Sequence, residues 1–409
     1  MFDNLLYQGA SSLLSADILN DRLPGAILLS GPAASGKLTC ALETARILSC
    51  SGKNQYGQRG HWLCDCPSCR KNKELSNTNV LLAGPRDCSL EILAARKAFL
   101  QAALDGSSYI SAVRYLFIRS VRKLTMRFSQ VLWEGDDKLP RLAPIIAAVD
   151  EDMERLSPEK ELLDPERIEG ICGNIVRNCG KLEDGFMYDS LPISQIRRAS
   201  SWARMKSVSG KKIFIIENVD RMLENARNAL LKILEEPPED LVFILTTASR
   251  GAVMPTILSR VRTYNLTERS AEQQKEVVRR VFHAQGDDEN LLINDYLRLF
   301  LPVRPSEIKR SAGAYFNYLM SGQIPVSETV VKECAGFEPR LLLKIFLSGI
   351  METARGDGDS PVRNEFCLSV LNSCRECYDS VTLLNLSPAA AIERLSRDLS
   401  FAKRNPGGL

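Results

Sequence analysis

The stretch from Lys211 to Leu266 constrains the fold of this chain more than any other. Two short apolar runs lie in it, Ile213 to Ile216 and Leu241 to Leu245, and each is bounded by polar residues. Such runs are typical of strands that are buried on both faces of a parallel sheet. Between them, apolar residues recur at three- and four-residue steps, as on one face of a helix, until Pro237. A third extended run, Val261 to Leu266, completes a strand–helix–strand–helix–strand order, which predicts a parallel sheet with crossover helices.

Polar residues follow the first two of these predicted strands. Glu217 and Asn218 come directly after the first run, and Thr247 closes the second. Ligands of parallel sheets bind beyond the carboxyl ends of the strands. We therefore expect these three side chains at a ligand-binding edge.

A glycine-rich loop follows another predicted strand, Ala26 to Ser30. The spacing of Gly31, Gly36 and Lys37 is that of a P-loop, whose backbone N–H groups cradle phosphate and whose lysine reaches the β- and γ-phosphates. The next residue is Leu38, where a Ser or Thr hydroxyl is needed to hold Mg²⁺, and Thr39 lies about 100° further around the helix. We expect a phosphate-loop fold that binds ATP and Mg²⁺ weakly or not at all. A working magnesium-dependent loop is the alternative.

Cysteines are frequent in this chain, with 12 among 409 residues. Cys64, Cys66 and Cys69 lie in a short polar loop, and Cys50 precedes them. Thiolates in such a loop suit a structural, tetrahedral Zn²⁺ site. We favour these four cysteines as ligands, with His61 as the substitute for any one of them and free loop thiols as the alternative.

Several segments resemble AAA+ clamp-loader subunits of bacterial DNA polymerase III. Asn228 to Pro238 and Thr256 to Arg260 match that family closely, and Phe2 to Leu6 with Gln8 resemble its opening segment. The resemblance implies a P-loop NTPase-like α/β base with a parallel five-stranded sheet and flanking helices, an α-helical lid and an α-helical collar. The expected ranges are the base at 1–265, with a zinc module near 48–72 and a helical insertion near 90–190, the lid at 266–322 and the oligomerisation collar at 323–409.

The resemblance leaves two subunit types to compare, the ATP-hydrolysing gamma/tau type and the delta-prime type. An active ATPase needs an Asp for the Mg²⁺ shell and a following Glu to activate water. Glu217 and Asn218 stand at those positions, and Asn218 cannot take a proton. Because Leu38 and Asn218 both impair the same chemical step, we expect a delta-prime-like subunit without ATPase activity of its own. Arg260 stands at the arginine of the family's Ser-Arg-Cys motif, with Val261 in place of the cysteine, which implies an arginine finger reaching into a neighbouring subunit's ATP site.

Two alternative functions stay open at this point. One is a divergent gamma/tau-type ATPase that uses Lys37 and Glu217. The other is a zinc-containing nucleic-acid-binding module built on the cysteine loop and a basic helix. That helix, predicted from Ile110 to Trp133, carries five basic residues and no acidic one, whereas residues Glu134 to Glu169 are strongly acidic. The two stretches either neutralise each other in a helical hairpin or leave a basic face for DNA or a partner.

The family resemblance also implies the partners. They are the gamma/tau and delta subunits in a hetero-oligomer, the sliding clamp, and primed DNA reached through the complex, all within the polymerase III holoenzyme, which is a nucleotidyltransferase. No membrane partner is expected, since no segment approaches the roughly 18 apolar residues of a membrane span. The start MFDNLLYQGASS lacks the features of a signal peptide, which favours a cytoplasmic location. With 53 Lys and Arg against 50 Asp and Glu, bulk charge does not predict nucleic-acid binding.

Overall fold

A computed structural model describes residues 1–52, 59–205, 210–355, 361–382, 384 and 386–404. The chain divides into two compact units, Met1–Tyr296 and Leu297–Leu409. The boundary falls inside the range predicted as a lid, and the division into base, lid and collar stays a prediction. Residues 53–58 of the predicted zinc module lie outside the described residues.

The first unit contains the predicted five-stranded parallel sheet, in the order β2-β3-β4-β1-β5. The strands β1, β3 and β4 coincide, within one or two residues, with predicted strands, and β5 lies in the extended run from Val261 to Leu266. The strands are β1 Ala26–Ser30, β2 Val80–Ala83, β3 Lys212–Ile216, β4 Leu241–Thr247 and β5 Arg262–Asn265.

Helices flank this sheet and make up the second unit. In the first unit they are α1 Ala10–Leu19, α2 Lys37–Ser49, α3 Pro67–Lys73, α4 Ser89–Asp105, α5 Ile110–Thr125, α6 Gln130–Trp133, α7 Leu139–Arg155, α8 Pro165–Phe186, α9 Ile193–Arg204, α10 Glu224–Glu235, α11 Pro255–Leu258 and α12 Ala271–Phe282. The remaining helices are α13 Ile293–Arg298, α14 Pro305–Met320, α15 Ser327–Glu333, α16 Leu341–Arg355, α17 Pro361–Thr382 and α18 Pro388–Arg404.

Side chains of the central strands alternate between two hydrophobic clusters. In β3, Phe214 and Ile216 join one cluster, whereas Ile213 and Ile215 join the other. Both faces of the central strands are therefore buried, which is why these strands are unbroken apolar runs in the sequence.

The helices α4 to α8, which form most of the predicted insertion, contribute to the cluster on the Phe214 face. Phe117, Trp133 and Phe186 are buried there together with residues of the strands. The predicted helix from Ile110 to Trp133 is interrupted. It ends at Thr125, passes through a 3₁₀ turn at Met126–Phe128 and resumes as α6. At this break Arg127 reaches Glu217, which directly follows β3.

The second unit is helical and has its own core. Helix α14 packs on α16, and α17 packs on α18. The hydroxyl groups of Tyr315 and Ser396 lie 2.7 Å apart within it. Among the residues that the structure describes, no helix combines the length and the apolar character needed to cross a bilayer.

Candidate nucleotide site and cysteine cluster

The predicted site residues at the sheet edge lie on three neighbouring strands, β3, β4 and β1. The glycine-rich loop follows β1, and its Gly31 N–H donates to the carbonyl of Thr247, at the end of β4, over 3.2 Å. Glu217 follows β3, the strand on the other side of β4. The parallel topology thus places the glycine-rich loop and Glu217 at the same edge of the sheet.

Lys37 does not project freely from the loop. Its Nζ donates to the carbonyl oxygens of Gly31 and Pro32, each over 2.6 Å. Burial lowers the pKa of this ammonium group, with the Glu217 carboxylate opposing that effect. The lysine that a P-loop uses for phosphate is therefore bonded to its own loop.

The backbone of the glycine-rich loop turns at Gly36 into the helix α2. Gly36 caps the N-terminus of α2 with a φ of 93°, a value that favours glycine. Leu38 is only 4% exposed and belongs to the same buried cluster as Ile27 and Leu29. Leu38, at the position where a hydroxyl would hold Mg²⁺, thus packs in the core. The neighbouring Thr39 is partly buried.

Glu217 is held by two arginines. Its Oε1 accepts from Arg86 Nη1 over 3.1 Å, and its Oε2 accepts from Arg127 Nη2. Glu217 is 4% exposed and Arg127 3% exposed. Burial opposes ionisation of Glu217, but the two guanidinium groups outweigh it and hold the pKa of the carboxyl below its ordinary value. Both carboxylate oxygens are therefore engaged by cations of the chain itself.

Asn218 adopts a left-handed conformation, with φ 54° and ψ 51°. Asparagine tolerates this conformation better than most residues. Its Nδ2 donates to the carbonyl of Pro85 over 2.8 Å. Nearby, the hydroxyl of Thr247 donates to Asp220 over 2.6 Å. The side chains of Asn218 and Thr247 therefore both have hydrogen-bond partners within the chain.

Arg269 covers the outer side of the loop. Its Nη1 donates to the carbonyl of Ala34 over 2.6 Å, and its Nε donates to that of Leu6 over 3.1 Å. Arg269 is 8% exposed. The loop is thus fixed from outside by an arginine and from inside by Lys37.

Arg260 lies after α11 and is exposed. Its Nη2 contacts Glu235 Oε1 at 2.9 Å, and its Nη1 donates to the carbonyl of Thr256 over 2.9 Å. An exposed pair of this kind contributes little stability. Arg260 can therefore exchange Glu235 for another anion at low cost.

The four favoured cysteines form one cluster. The Sγ atoms of Cys50, Cys64, Cys66 and Cys69 all lie within 4.8 Å of one another, and those of Cys50 and Cys64 are 3.8 Å apart. In a tetrahedral site with Zn–S bonds of about 2.3 Å, sulfur atoms are about 3.8 Å apart. Burial opposes ionisation of Cys66, but the N–H of Cys69, the hydroxyl of Ser51 and the N–H groups of Ser51 and Gly52 outweigh it and lower the pKa of Cys66 to about 5. The donor set fits one metal ion, and its thiolate ligands would favour zinc.

His61 lies outside this group of four sulfur atoms. It is exposed, and its Nδ1 accepts from the N–H of Leu63 over 3.2 Å. The carbonyl of His61 instead accepts from Arg46 over 3.1 Å. In this structure His61 therefore makes hydrogen bonds within the loop and to Arg46. Its role as a substitute ligand stays a prediction.

Arg46 connects the cysteine cluster with the P-loop helix. It is 1% exposed, pairs with Glu43 on α2 and donates to Cys69 Sγ over 3.3 Å. It also donates to the carbonyl of Gly60 over 2.8 Å. One buried side chain thus connects the cysteine loop to α2.

Four arginines at these sites are absent from the sequence-based prediction. A signal existed for Arg86, because it follows the apolar run Val80 to Ala83 with its closing Gly84 and Pro85, and ligands of parallel sheets bind beyond such strand ends. Arg127 lies 90 residues from its partner Glu217. Such distant pairs leave no local pattern. The same holds for Arg269, which joins the two ends of the first unit, and for Arg46, whose position inside a helix resembles an ordinary surface residue.

The family model described as DNA polymerase III, delta subunit, matches residues 7–132 and 145–270. Among curated proteins, the DNA polymerase III subunit delta' of Bacillus subtilis is 35% identical over 97 residues, covering 21% of this chain and 30% of that protein. The subunit tau of Escherichia coli is 32% identical over 111 residues, covering 25% of this chain and 17% of that protein. The matched segments thus span less than a third of these relatives.

A solved structure of a DNA polymerase III gamma subunit-related protein from Thermotoga maritima is also similar. It has 17% sequence identity and a TM-score of 0.28, and the match covers 53% of this chain and 81% of that chain. The family model carries more weight, because its two matched ranges span more than half of the chain and contain both the P-loop and Arg260. The chain therefore belongs to the family described as DNA polymerase III, delta subunit.

Proposed function

We propose that this chain is a non-hydrolysing, delta-prime-like subunit of a bacterial DNA polymerase III clamp loader. It braces the complex, which acts in the cytoplasm together with gamma/tau and delta subunits. Its Arg260 enters the ATP site of an adjacent gamma-type subunit. The complex opens the sliding clamp and closes it on primed DNA.

One observation carries this proposal. The cations and the acid of the chain's own nucleotide site are bonded to each other and to the loop, whereas Arg260 is exposed. Lys37 is bonded to two carbonyl groups of its own loop, and Glu217 to Arg86 and Arg127. An arginine finger stabilises charge that develops on the γ-phosphate, which can raise the rate by roughly 10³–10⁵ in other NTPases. The chain is therefore equipped to assist hydrolysis in a neighbour rather than to perform it.

The gamma/tau-type ATPase is the second candidate, because relatives of that type match at similar identity. The subunit gamma/tau of Mycobacterium tuberculosis is 35% identical over 75 residues, covering 18% of this chain and 13% of that protein. A gamma/tau-type ATPase would require Lys37 to break its bonds to its own loop before Mg-ATP binds. Glu217 would also have to release an arginine.

DNA-stimulated ATP turnover of the reconstituted clamp loader separates the two candidates. We expect Arg260→Ala to lower turnover sharply and Lys37→Ala to leave it unchanged. Arg250→Ala, which removes another exposed arginine from the first unit, is the matched control and should have no effect. A large loss with Lys37→Ala would favour the gamma-type reading. Unchanged turnover with Arg260→Ala would refute the finger.

A further inference from the structure

A chain of alternating charges runs through the nucleotide site, and we call it the Glu217 clamp. It consists of Lys123, Glu91, Arg86, Glu217 and Arg127. Arg86 bridges the two acids, since its Nη2 donates to Glu91 Oε2 over 3.0 Å and its Nη1 to Glu217 Oε1 over 3.1 Å. Lys123 pairs with the other oxygen of Glu91, and Arg127 with the other oxygen of Glu217. Each carboxylate thus lies between two cations.

Arg127 belongs to the helical segment that the sequence predicted as inserted. The 3₁₀ turn between α5 and α6 carries it, and its Nη1 donates to the carbonyl of Gly84 over 2.9 Å. The indole N–H of Trp133 donates to the Arg127 carbonyl over 2.9 Å. Trp133 is 1% exposed and stacks on Tyr188, so the backbone of the turn is anchored in the core.

The positive charge around Glu217 can be compared with that of a bound metal ion. A carboxylate at the end of this strand needs positive charge nearby, because an unpaired buried charge is very costly. Two guanidinium groups supply the same double positive charge as one magnesium ion. They are covalently part of the chain and therefore remain in place whether or not nucleotide is present.

We propose that Arg127, delivered by the helical segment, acts with Arg86 as a built-in replacement for a metal ion opposite Glu217, which holds the site in one shape without nucleotide. This inference rests on the proposed function and gives the helical segment a role in it. The segment acts as an internal plug, so that the subunit stays a constant brace through the ATP cycle of its neighbours.

A double-variant cycle on the full chain tests the plug. The protein has three tryptophans, Trp62, Trp133 and Trp202, and all lie in the first unit, so tryptophan fluorescence follows its unfolding. We expect Arg127→Met and Glu217→Gln each to lower the folding equilibrium constant by about 100-fold or more, since the first leaves the buried Glu217 with Arg86 alone and the second leaves the buried Arg127 without its carboxylate. The double variant should lose far less than the product of the two. If Arg127→Met is obtained only as unfolded protein, we expect the double variant to fold. That rescue would equally show that Arg127 and Glu217 depend on each other.

The matched control is Arg122→Met. Arg122 lies on the same segment but pairs with Asp150, and their side chains are 27% and 47% exposed. Its loss should be less than about 10-fold, as for other exposed pairs. Losses that multiply in the double variant, or an effect of Arg127→Met no larger than this control, would overturn the proposal.

Magnesium distinguishes a metal replacement from an ordinary structural ion pair. Millimolar MgCl₂ should raise the unfolding midpoint of Arg127→Met, in which Glu217 retains only Arg86, and leave wild type and Arg127→Met/Glu217→Gln unchanged. No response of Arg127→Met would refute the replacement of a metal ion. A different result would refute the proposed function. In that case Mg-ATP would raise the unfolding midpoint of the wild type, and Lys37→Ala would abolish this rise.

Discussion

At the scale of single residues, Glu183 shows how burial changes the chemistry of a carboxyl group. This residue of α8 accepts from the N–H groups of Cys88 and Ser89, at the start of α4, over 2.8 and 3.0 Å. Burial raises its pKa from 4.5 to about 7, although these donors oppose the shift. Glu91 shows the reverse, because Lys123 and Arg86 outweigh burial and lower its pKa to about 2.

Glu183 should therefore make stability fall with rising pH. A group whose pKa is higher in the folded state contributes fully below its unfolded value of 4.5, and that contribution is lost as pH rises through about 7. Glu183→Gln removes this titration. We expect its stability relative to wild type to improve between pH 5 and pH 8, as measured by urea unfolding with tryptophan fluorescence. Glu166→Gln, an exposed site on the same helix, is the control, and an equally flat difference for both variants would contradict the assignment.

At the scale of elements, the cysteine loop and α2 are joined through Arg46. Groups that bond to metal ligands orient them and tune their affinity, and their loss typically weakens metal binding 10- to 100-fold. Arg46 bonds to Cys69 Sγ and to two carbonyl groups of the loop. The loop is therefore held in place by a residue of the P-loop helix.

Arg46→Met should speed the release of zinc from the purified chain. We expect the rate with excess chelator, followed with a zinc-sensitive dye, to rise about 10-fold or more. The control is Arg70→Met, an exposed arginine on α3, which should release zinc at the wild-type rate. Equal rates for the two variants would show that Arg46 does not support the cluster.

The strands were predictable because their signal is local. Ile213 to Ile216 and Leu241 to Leu245 are short apolar runs, and the topology then places Glu217 and Thr247 at one edge. The cysteine group was predictable from spacing. The break of the helix at Met126–Phe128 was not, because Ile110 to Trp133 carries no Gly or Pro that would indicate it.

The partners of the basic helix were also beyond prediction. Arg122 does pair with the acidic stretch, through Asp150, but Lys123 and Arg127 pair with Glu91 and Glu217 instead. These pairs depend on how α4 to α8 pack on the sheet. Nothing in the charge pattern of the sequence specifies that packing.

At the scale of the whole molecule, the same ion pairs bear on nucleic-acid binding. The net charge is only +3. Arg114 donates to the carbonyl of Leu156 over 3.0 Å, and Arg119 donates to that of Lys73. The charges of the basic helix are thus largely used inside the protein, which weighs against the nucleic-acid-binding alternative.

Arg122 is the test residue for that alternative, since its side chain is 27% exposed and pairs with the half-exposed Asp150. We expect Arg122→Gln to leave the DNA affinity of the isolated chain and its salt dependence unchanged, as measured by fluorescence anisotropy. A phosphate contact would be revealed by weaker binding and by a salt slope reduced by about 1. That result would support a basic face for DNA.

We expect the side chains of the candidate nucleotide site, which are bonded to one another and to its loop, to exclude nucleotide. Equilibrium binding of Mg-ATP to the isolated full-length chain, measured by titration calorimetry, tests this expectation most directly. We expect no saturable binding up to millimolar ATP, with the same result for Lys37→Ala. Saturable binding of one ATP per chain that Lys37→Ala abolishes would contradict it.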